Sequence, residues 1–502
     1  MSAERPGTRR WRRLRYAAAA AAALFLVLLI PAREPAPPHP AKGRPFEWRQ
    51  DERWEALEAG FQRARAEGCA TVAIRAEELL RTGCRVLADV TARRLEPTDR
   101  SFDELERLTF ELGPLVAACP GTLPGYIELV TGTRSAVKAQ SRRWDMRSQA
   151  TRDALYRLLY GGRGALEEAM LQAPVVAVPA LVRGDDERSA TPSADVLGVR
   201  IHSGDILVSR GGAPTSALIA RGNDYPGNFS HVALVFVEGS SGTASVVESH
   251  IERGVAIATM PDYLRDTKLR VMVLRPRADL PRLAADPMLP HRAAAAMIAE
   301  ARDRHIPYDF EMDFADHGKL FCSEVASAAY ARLGITLWME ISRISSPGLA
   351  SWLSQFGVTR FETQEPSDLE YDPQLVVVAE WRNPEALSAD HVDNAVVDAM
   401  LEGAERGETL AYSRAGLPLA RLAKASSVCL NGFGLVGPVP EGLSATAALR
   451  TRRFSRTHAR IRERVLALAD EFRKAHGYAP PYWELVRLAR LAHAEITGGP
   501  HA

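Results

Sequence analysis

The spacing of apolar positions changes twice along the chain. From residue 46 to about 172 they recur every three to four residues, most clearly over 54–67, 70–83, 101–112 and 152–170, which predicts amphipathic helices. Ser101 and Glu104 stand three apart where the third segment begins, as in a capping box. Near Ala173 the period shortens. Runs at 175–178, 205–209, 231–237, 245–249, 254–258 and 269–274, separated by Gly, Ser and Pro clusters, predict strands. Helical spacing returns at 290–304 and at 322–333, where Gly334 supplies a stop, and 374–381 reads as a last strand. Beyond residue 384 the pattern is helical again at 388–406, 455–476 and 481–496, with a Gly-rich interruption at 429–439. The pattern therefore predicts an α+β unit at 173–383 between two mainly α-helical regions, 46–172 and 384–502. No internal repeat of useful strength is present.

Residues 1–45 follow a different rule. Arg9, Arg10, Arg12, Arg13 and Arg15 precede an unbroken apolar run at 16–30, and a Pro-rich stretch follows at 33–45. A basic segment before an apolar run is the pattern of a secretory signal or signal-anchor. The run is short for a span of about 20 residues, but Trp11, Leu14 and snorkelling arginines extend it. Ile30-Pro31-Ala32 makes a poor cleavage site. The expectation is an uncleaved single-pass anchor with the arginines cytoplasmic and the body extracytoplasmic, at the inner membrane facing the periplasm. Secretion after signal cleavage is the alternative.

Composition narrows the function classes. Charged residues make up 25% and the net charge is +1, and no basic stripe interleaves with aromatics, so nucleic acid is not an expected partner. Of the cysteines, Cys69, Cys84 and Cys119 fall in one helical region, where a pair among them is possible, while Cys322 and Cys429 stand apart. No CxxC is present, which argues against a zinc ribbon or a redox motif.

Chemistry concentrates in the middle unit. Ser203-Gly204-Asp205 leads into a strand. Phe229-Ser230-His231-Val232 places a histidine at a strand start. Val246-Val247-Glu248-Ser249-His250 offers an acid on the next strand. Tyr308-Asp309-Phe310 precedes Leu320-Phe321-Cys322-Ser323-Glu324, where a cysteine opens a helix. A thiol hydrolase needs a thiolate nucleophile, an imidazole to carry its proton, and a polar group to fix the imidazole tautomer. Cys322 at a helix N-terminus gains from the helix dipole, which favours the thiolate, and free amides there can hold an oxyanion. His231 and Glu248 on adjacent strands can lie side by side.

These motifs, in this order, resemble the permuted NlpC/p60 papain-like superfamily, specifically its YiiX/YebB-like branch. The resemblance covers residues 198–382 and says nothing of the helical flanks. It implies a circularly permuted papain-like domain whose antiparallel sheet packs on the cysteine helix. Carried over by position, Cys322 is the nucleophile, His231 the base and Glu248 the orienting acid. Ala326 stands where a second large apolar residue is common, and the 211–228 insertion, rich in Gly, Asn and Pro, is long.

Other residues have ordinary readings beside these. Cys322 alone reads as a small buried hydrophobe. His231 alone reads as a strand-edge histidine and Glu248 as a surface carboxylate; Glu252 is the runner-up acid, in the following turn. Ser230 points to the opposite strand face from His231, and Ser323 is expected to help satisfy the amides at the helix start. Asp309 and Asp313 shape the approach to the cysteine helix, and Tyr225 is a candidate cleft residue. Asn228-Phe229-Ser230 fits a glycosylation sequon. His231, His250, His305, Asp309 and His317 lack zinc-protease spacing, so no metal and no cofactor are expected. The leading expectation is an anchored hydrolase of amide bonds in cell-wall peptide. Relatives with the same permuted order include the lecithin:retinol acyltransferase-like group, so lipid ester or amide hydrolysis, or acyl transfer, is the second expectation. A non-enzymatic helical scaffold is the third.

Overall fold

The computed structural model describes residues 6–31, 35–48, 51–431, 433 and 435–498. The side chains of Arg9, Arg10, Arg12 and Arg13, and residues 32–34 of the Pro-rich stretch, lie outside the described residues. Helix α1 (Pro6–Leu28) carries the apolar run and exposes Leu24, Phe25, Leu26 and Val27. Among the described residues no helix is long and apolar enough to cross a membrane.

Helices α2 (Asp51–Glu67), α3 (Cys69–Ala92), α4 (Arg100–Ala118), α5 (Leu123–Ser141), α6 (Gln149–Leu155) and α7 (Gly162–Gln172) form the first helical region. Two details differ from the sequence pattern. The cap of α4 is Asp99, whose carboxylate accepts from Ser101 N at 2.9 Å, so the helix starts before the expected capping box. The stretch expected as one helix at 152–170 is broken by a π turn at Tyr156–Gly161, where a Cβ on Gly161 would lie 2.7 Å from the Trp48 ring.

Cys69 and Cys119 form a disulfide that ties the start of α3 to the end of α4, while Cys84 is free and exposed. The bridge closes 50 residues of chain. A loop of that length is worth about 4 kcal/mol in the chain-entropy account. A Cys69→Ser/Cys119→Ser variant is therefore expected to lose stability of that order in urea unfolding. Cys84→Ser is expected to change it little.

In the middle unit, residues 175–178 are not a strand. Val175–Ala177 is a 3-10 turn with Val175 and Val176 exposed, because no neighbouring strand lies there to pair with it. Strand β1 (Leu181–Arg183) follows, then a separate hairpin of β2 (Ser193–Val196) and β3 (Val199–His202). Next come β4 (Ile206–Gly211), α8 (Pro214–Arg221) within the long insertion, β5 (His231–Val237), β6 (Ala244–His250), β7 (Gly254–Thr259), α9 (Met260–Arg265) and β8 (Lys268–Pro276). Helices α10 (Pro281–Ala285), α11 (Leu289–Asp303) and α12 (Cys322–Ala331) lead to the short pair β9 (Ser342–Arg343) and β10 (Glu362–Thr363), which flank α13 (Pro347–Phe356), and to β11 (Leu375–Arg382). The main sheet is antiparallel throughout, in the order β1-β11-β8-β4-β5-β6-β7.

Alternation divides β5 between two cores. Val232 and Leu234 pack with Met297 of α11 and Val325 and Ala326 of α12, and Ala233 and Val235 face Val246 and Tyr263 on the other side. The papain-like α+β expectation, a sheet backed by the cysteine helix, is met.

The chain ends in α14 (Pro384–Glu405), α15 (Leu417–Asn431), α16 (Ala445–His476) and α17 (Tyr482–Thr497). Buried ion pairs stitch these parts together. Arg270 on β8, 1% exposed, reaches Asp390 of α14 at 2.6 Å, Glu167 of α7 at 2.6 Å and Glu380 of β11 at 3.4 Å. Arg382 joins the same two glutamates at 3.2 and 3.0 Å.

Candidate active site

The pairing of β5 with β6 ends at Ala233↔Glu248. Helix α12 packs against both strands. Ser249 Oγ donates to Leu320 O at 2.6 Å, which fixes the chain just before the helix. Phe321 N donates to Glu324 Oε2 at 2.9 Å, so Glu324, rather than Ser323, answers the open amide at the helix start. Cys322 is thereby set against the backbone on either side of His231. Its Sγ lies 3.8 Å from Ser230 O, and Val232 N–H also faces the sulfur.

His231 and Glu248 are brought into direct contact, Nε2 to Oε2 at 2.6 Å. His250 approaches the other oxygen, Nε2 to Oε1 at 3.1 Å. Glu248 is 2% exposed. Burial alone would raise its pKa, but the bonds from His231 and His250 outweigh that and hold it well below the usual carboxylate range. With Nε2 engaged by Glu248, Nδ1 of His231 is the nitrogen left to exchange a proton with a thiol. Among the described residues no hydrogen bond joins Cys322 Sγ to the His231 ring. The imidazole lies on the sheet face of Glu248, and the thiol lies at the strand ends on the α12 side.

Burial pushes the Cys322 thiol up to about 12, the buried carboxyl of Glu365 adds to this, and contacts from Ser323 and Val232 oppose it. The thiolate expected from the helix dipole is therefore not the resting form. Desolvation outweighs the dipole, because Cys322 is 5% exposed. At pH 7 iodoacetamide is expected to alkylate the exposed Cys84 and Cys429 ahead of Cys322, with the Cys322 rate climbing through the alkaline range. Peptide mapping after timed labelling at neutral and alkaline pH checks this. Faster labelling of Cys322 at pH 7 contradicts it.

Other candidates sort cleanly. Glu252 lies in the turn after β6. Asp309 is fully buried and accepts from Glu311 N and Asp313 N at 2.9 and 2.7 Å, shaping the loop before α12. Tyr225 packs against Phe46 and Tyr156 and donates to Asp153 at 2.8 Å, so it belongs to the seam with the first helical region. Asn228 is buried and accepts from Arg163 at 3.1 Å, which leaves the sequon no room for a glycan in the folded protein. His305 pairs with Glu441 and stands apart from His231. Two neighbours were not anticipated. His250 lies two residues after Glu248, which puts both on one face of β6. Glu365 sits in a loop with no periodic signal. A cavity of about 1250 Å³ lies between the two helical regions, lined by Trp48, Trp54, Tyr160, Asp398 and Trp483; Cys322, His231 and Glu248 do not line it.

An antiparallel sheet backed by a helix that opens on cysteine, with histidine and carboxylate on neighbouring strands upstream of it, defines a papain-like domain in permuted order. Residues 200–379 match the family described as permuted papain-like amidase enzyme, YaeF/YiiX, C92 family. No curated protein and no solved structure matches the chain.

Proposed function

We propose that this protein is a membrane-anchored thiol hydrolase that cleaves amide bonds, with peptide of the cell wall as substrate, on the extracytoplasmic side. The observation that carries the reading is the joint placement of Cys322 against the Ser230 and Val232 backbone and of the His231 ring on Glu248 at 2.6 Å. In the reaction Nδ1 of His231 serves as the base for the thiol. Sulfur attacks the carbonyl carbon as Nδ1 takes the thiol proton. The proton passes to the amide nitrogen as the C–N bond breaks, leaving a thioester on Cys322. Water then attacks the thioester as His231 takes its proton; the C–S bond breaks, the proton passes from His231 to the Cys322 sulfur, and the carboxylic acid product leaves. Glu248 holds the Nε2–H throughout and stabilises the imidazolium. Amides at the start of α12 offer donors for the oxyanion.

The exposed Leu24, Phe25 and Val27 of α1, beside the exposed Leu419 and Leu422 of α15, support membrane attachment. Arg421 of α15 donates to the carbonyls of Val27 and Leu28 at 3.1 and 3.0 Å, holding the end of α1 there. The disulfide supports an oxidising compartment.

Turnover of peptidoglycan fragments and of phospholipid or acyl-amide substrates, by wild type and by Cys322→Ala, tests the proposal. Release of new amino and carboxyl ends from the fragments by wild type alone is the expected result. Turnover of lipid alone overturns the substrate assignment. Equal turnover by both proteins overturns the nucleophile.

A further inference from the structure

His231 opens β5 and His250 closes β6. The register that pairs Ala233 with Glu248 carries forward to set these two histidines opposite each other, with ring centroids 5.5 Å apart. Glu248, two residues before His250, projects from the same face between them. The ligand-capable atoms of His231, Glu248 and His250 all lie within 4.8 Å of one another. Ligands about 2.1 Å from a tetrahedral zinc are about 3.4 Å apart, so only small side-chain shifts separate this set from a coordination shell. The backbone is already fixed, because each donor sits on a paired strand or at its end. The rings of His231 and His250 are 19% and 24% exposed.

We propose that this cluster is a binding site for a borderline-soft divalent cation, zinc above all, and that its occupation switches the hydrolase off. Two imidazoles and one carboxylate are a zinc donor set. The inhibitory part rests on the role proposed for His231. A neutral imidazole has one lone pair and one N–H. In the proposed reaction Nε2 gives its hydrogen to Glu248, and Nδ1 keeps the lone pair that takes the thiol proton. A metal on Nε2 takes the lone pair there and obliges the hydrogen onto Nδ1. The ring then has nothing with which to accept a proton from Cys322. Metal binding and general-base chemistry at His231 are mutually exclusive, with no net proton released from the ring. Cys322 is not needed as a ligand.

The test uses the full-length protein stripped of metal by chelator and titrated with zinc chloride by calorimetry, beside His250→Gln, His250→Asn and Cys322→Ala, each checked for wild-type circular dichroism. Wild type and Cys322→Ala are expected to bind one zinc with equal affinity, and both His250 variants to bind at least about tenfold more weakly. Cobalt in place of zinc is expected to give visible bands without a sulfur charge-transfer band. Undiminished binding by both His250 variants overturns the site, and so does loss of binding in Cys322→Ala. Zinc that saturates the site is expected to stop turnover by wild type, and chelator to restore it; full turnover with the site saturated overturns the inhibitory role. Calorimetry does not depend on turnover, so a protein that binds zinc at His250 but hydrolyses nothing sinks the proposed reaction and leaves the metal site standing.

Discussion

Cys322→Ala is expected to lower amide turnover by roughly four to six orders of magnitude, the loss seen when an acyl-transfer enzyme loses its nucleophile. The size follows from the division of labour. The two serines beside His231 and Cys322 are otherwise placed: Ser230 contributes its carbonyl to the sulfur, and Ser323 is buried within the helix start. Adding His231→Ala to Cys322→Ala is expected to cost little more, because base and nucleophile act as one unit. A structural account of Cys322 predicts otherwise: a change in stability of about 1 kcal/mol and turnover near wild type. The alkaline limb separates the two further. The folded thiol is held near 12, against an ordinary value of 9.0, so its contribution to stability is complete below pH 9 and is lost as pH rises towards 12. Cys322→Ala lacks that linkage. It is expected to resist alkaline unfolding better than wild type while doing no chemistry, and unfolding measured across pH 8–12 beside turnover shows both.

The parts of the site that could be read from sequence share a property: each residue announces its own local setting. His231 stands at the boundary between a polar loop and an apolar run, and Cys322 opens a helical period, so their elements could be placed without knowing the fold. Glu248 needed one more step, the adjacency of consecutive strands. What was not legible depends on partners distant in sequence. The resting charge of Cys322 turns on how deeply α12 is buried, and burial by sheet and loop reverses the dipole argument. The Cys69–Cys119 pairing depends on which helix ends meet, and Cys84 is excluded only by its place along α3. The 175–178 run has strand composition but no strand beside it. The π turn at Tyr156–Gly161 packs close to Trp48, more than a hundred residues earlier in the chain.

Arg270→Ala is expected to be among the most destabilising single substitutions in the chain, by roughly 3–5 kcal/mol, because it removes the cation and leaves buried carboxylates behind. Total stabilities are about 5–15 kcal/mol, so the variant is expected to accumulate poorly or to unfold at a much lower urea concentration. Three regions meet on this one guanidinium: Glu167 from the first helical region, Glu380 from the sheet and Asp390 from the last region. The pH dependence identifies the cause. In wild type burial would raise the Glu167 pKa, but Arg270 first, then the bonds from His391 and Arg382, hold it well below its ordinary value. That stability is present above about pH 4.5 and is lost as pH falls. Without Arg270 the Glu167 pKa rises, so the gap between variant and wild type is expected to narrow on acidification. His391 adds the opposite slope. Burial would lower its pKa, but Glu167 and Glu168 lift it to about 9, so its contribution is full below pH 6.5 and is lost between there and 9. A cavity left by the side chain alone would give a loss independent of pH. Arg107 is the control, since its pairs with Glu104 and Glu111 are exposed and Arg107→Ala is expected to cost about 1 kcal/mol or less.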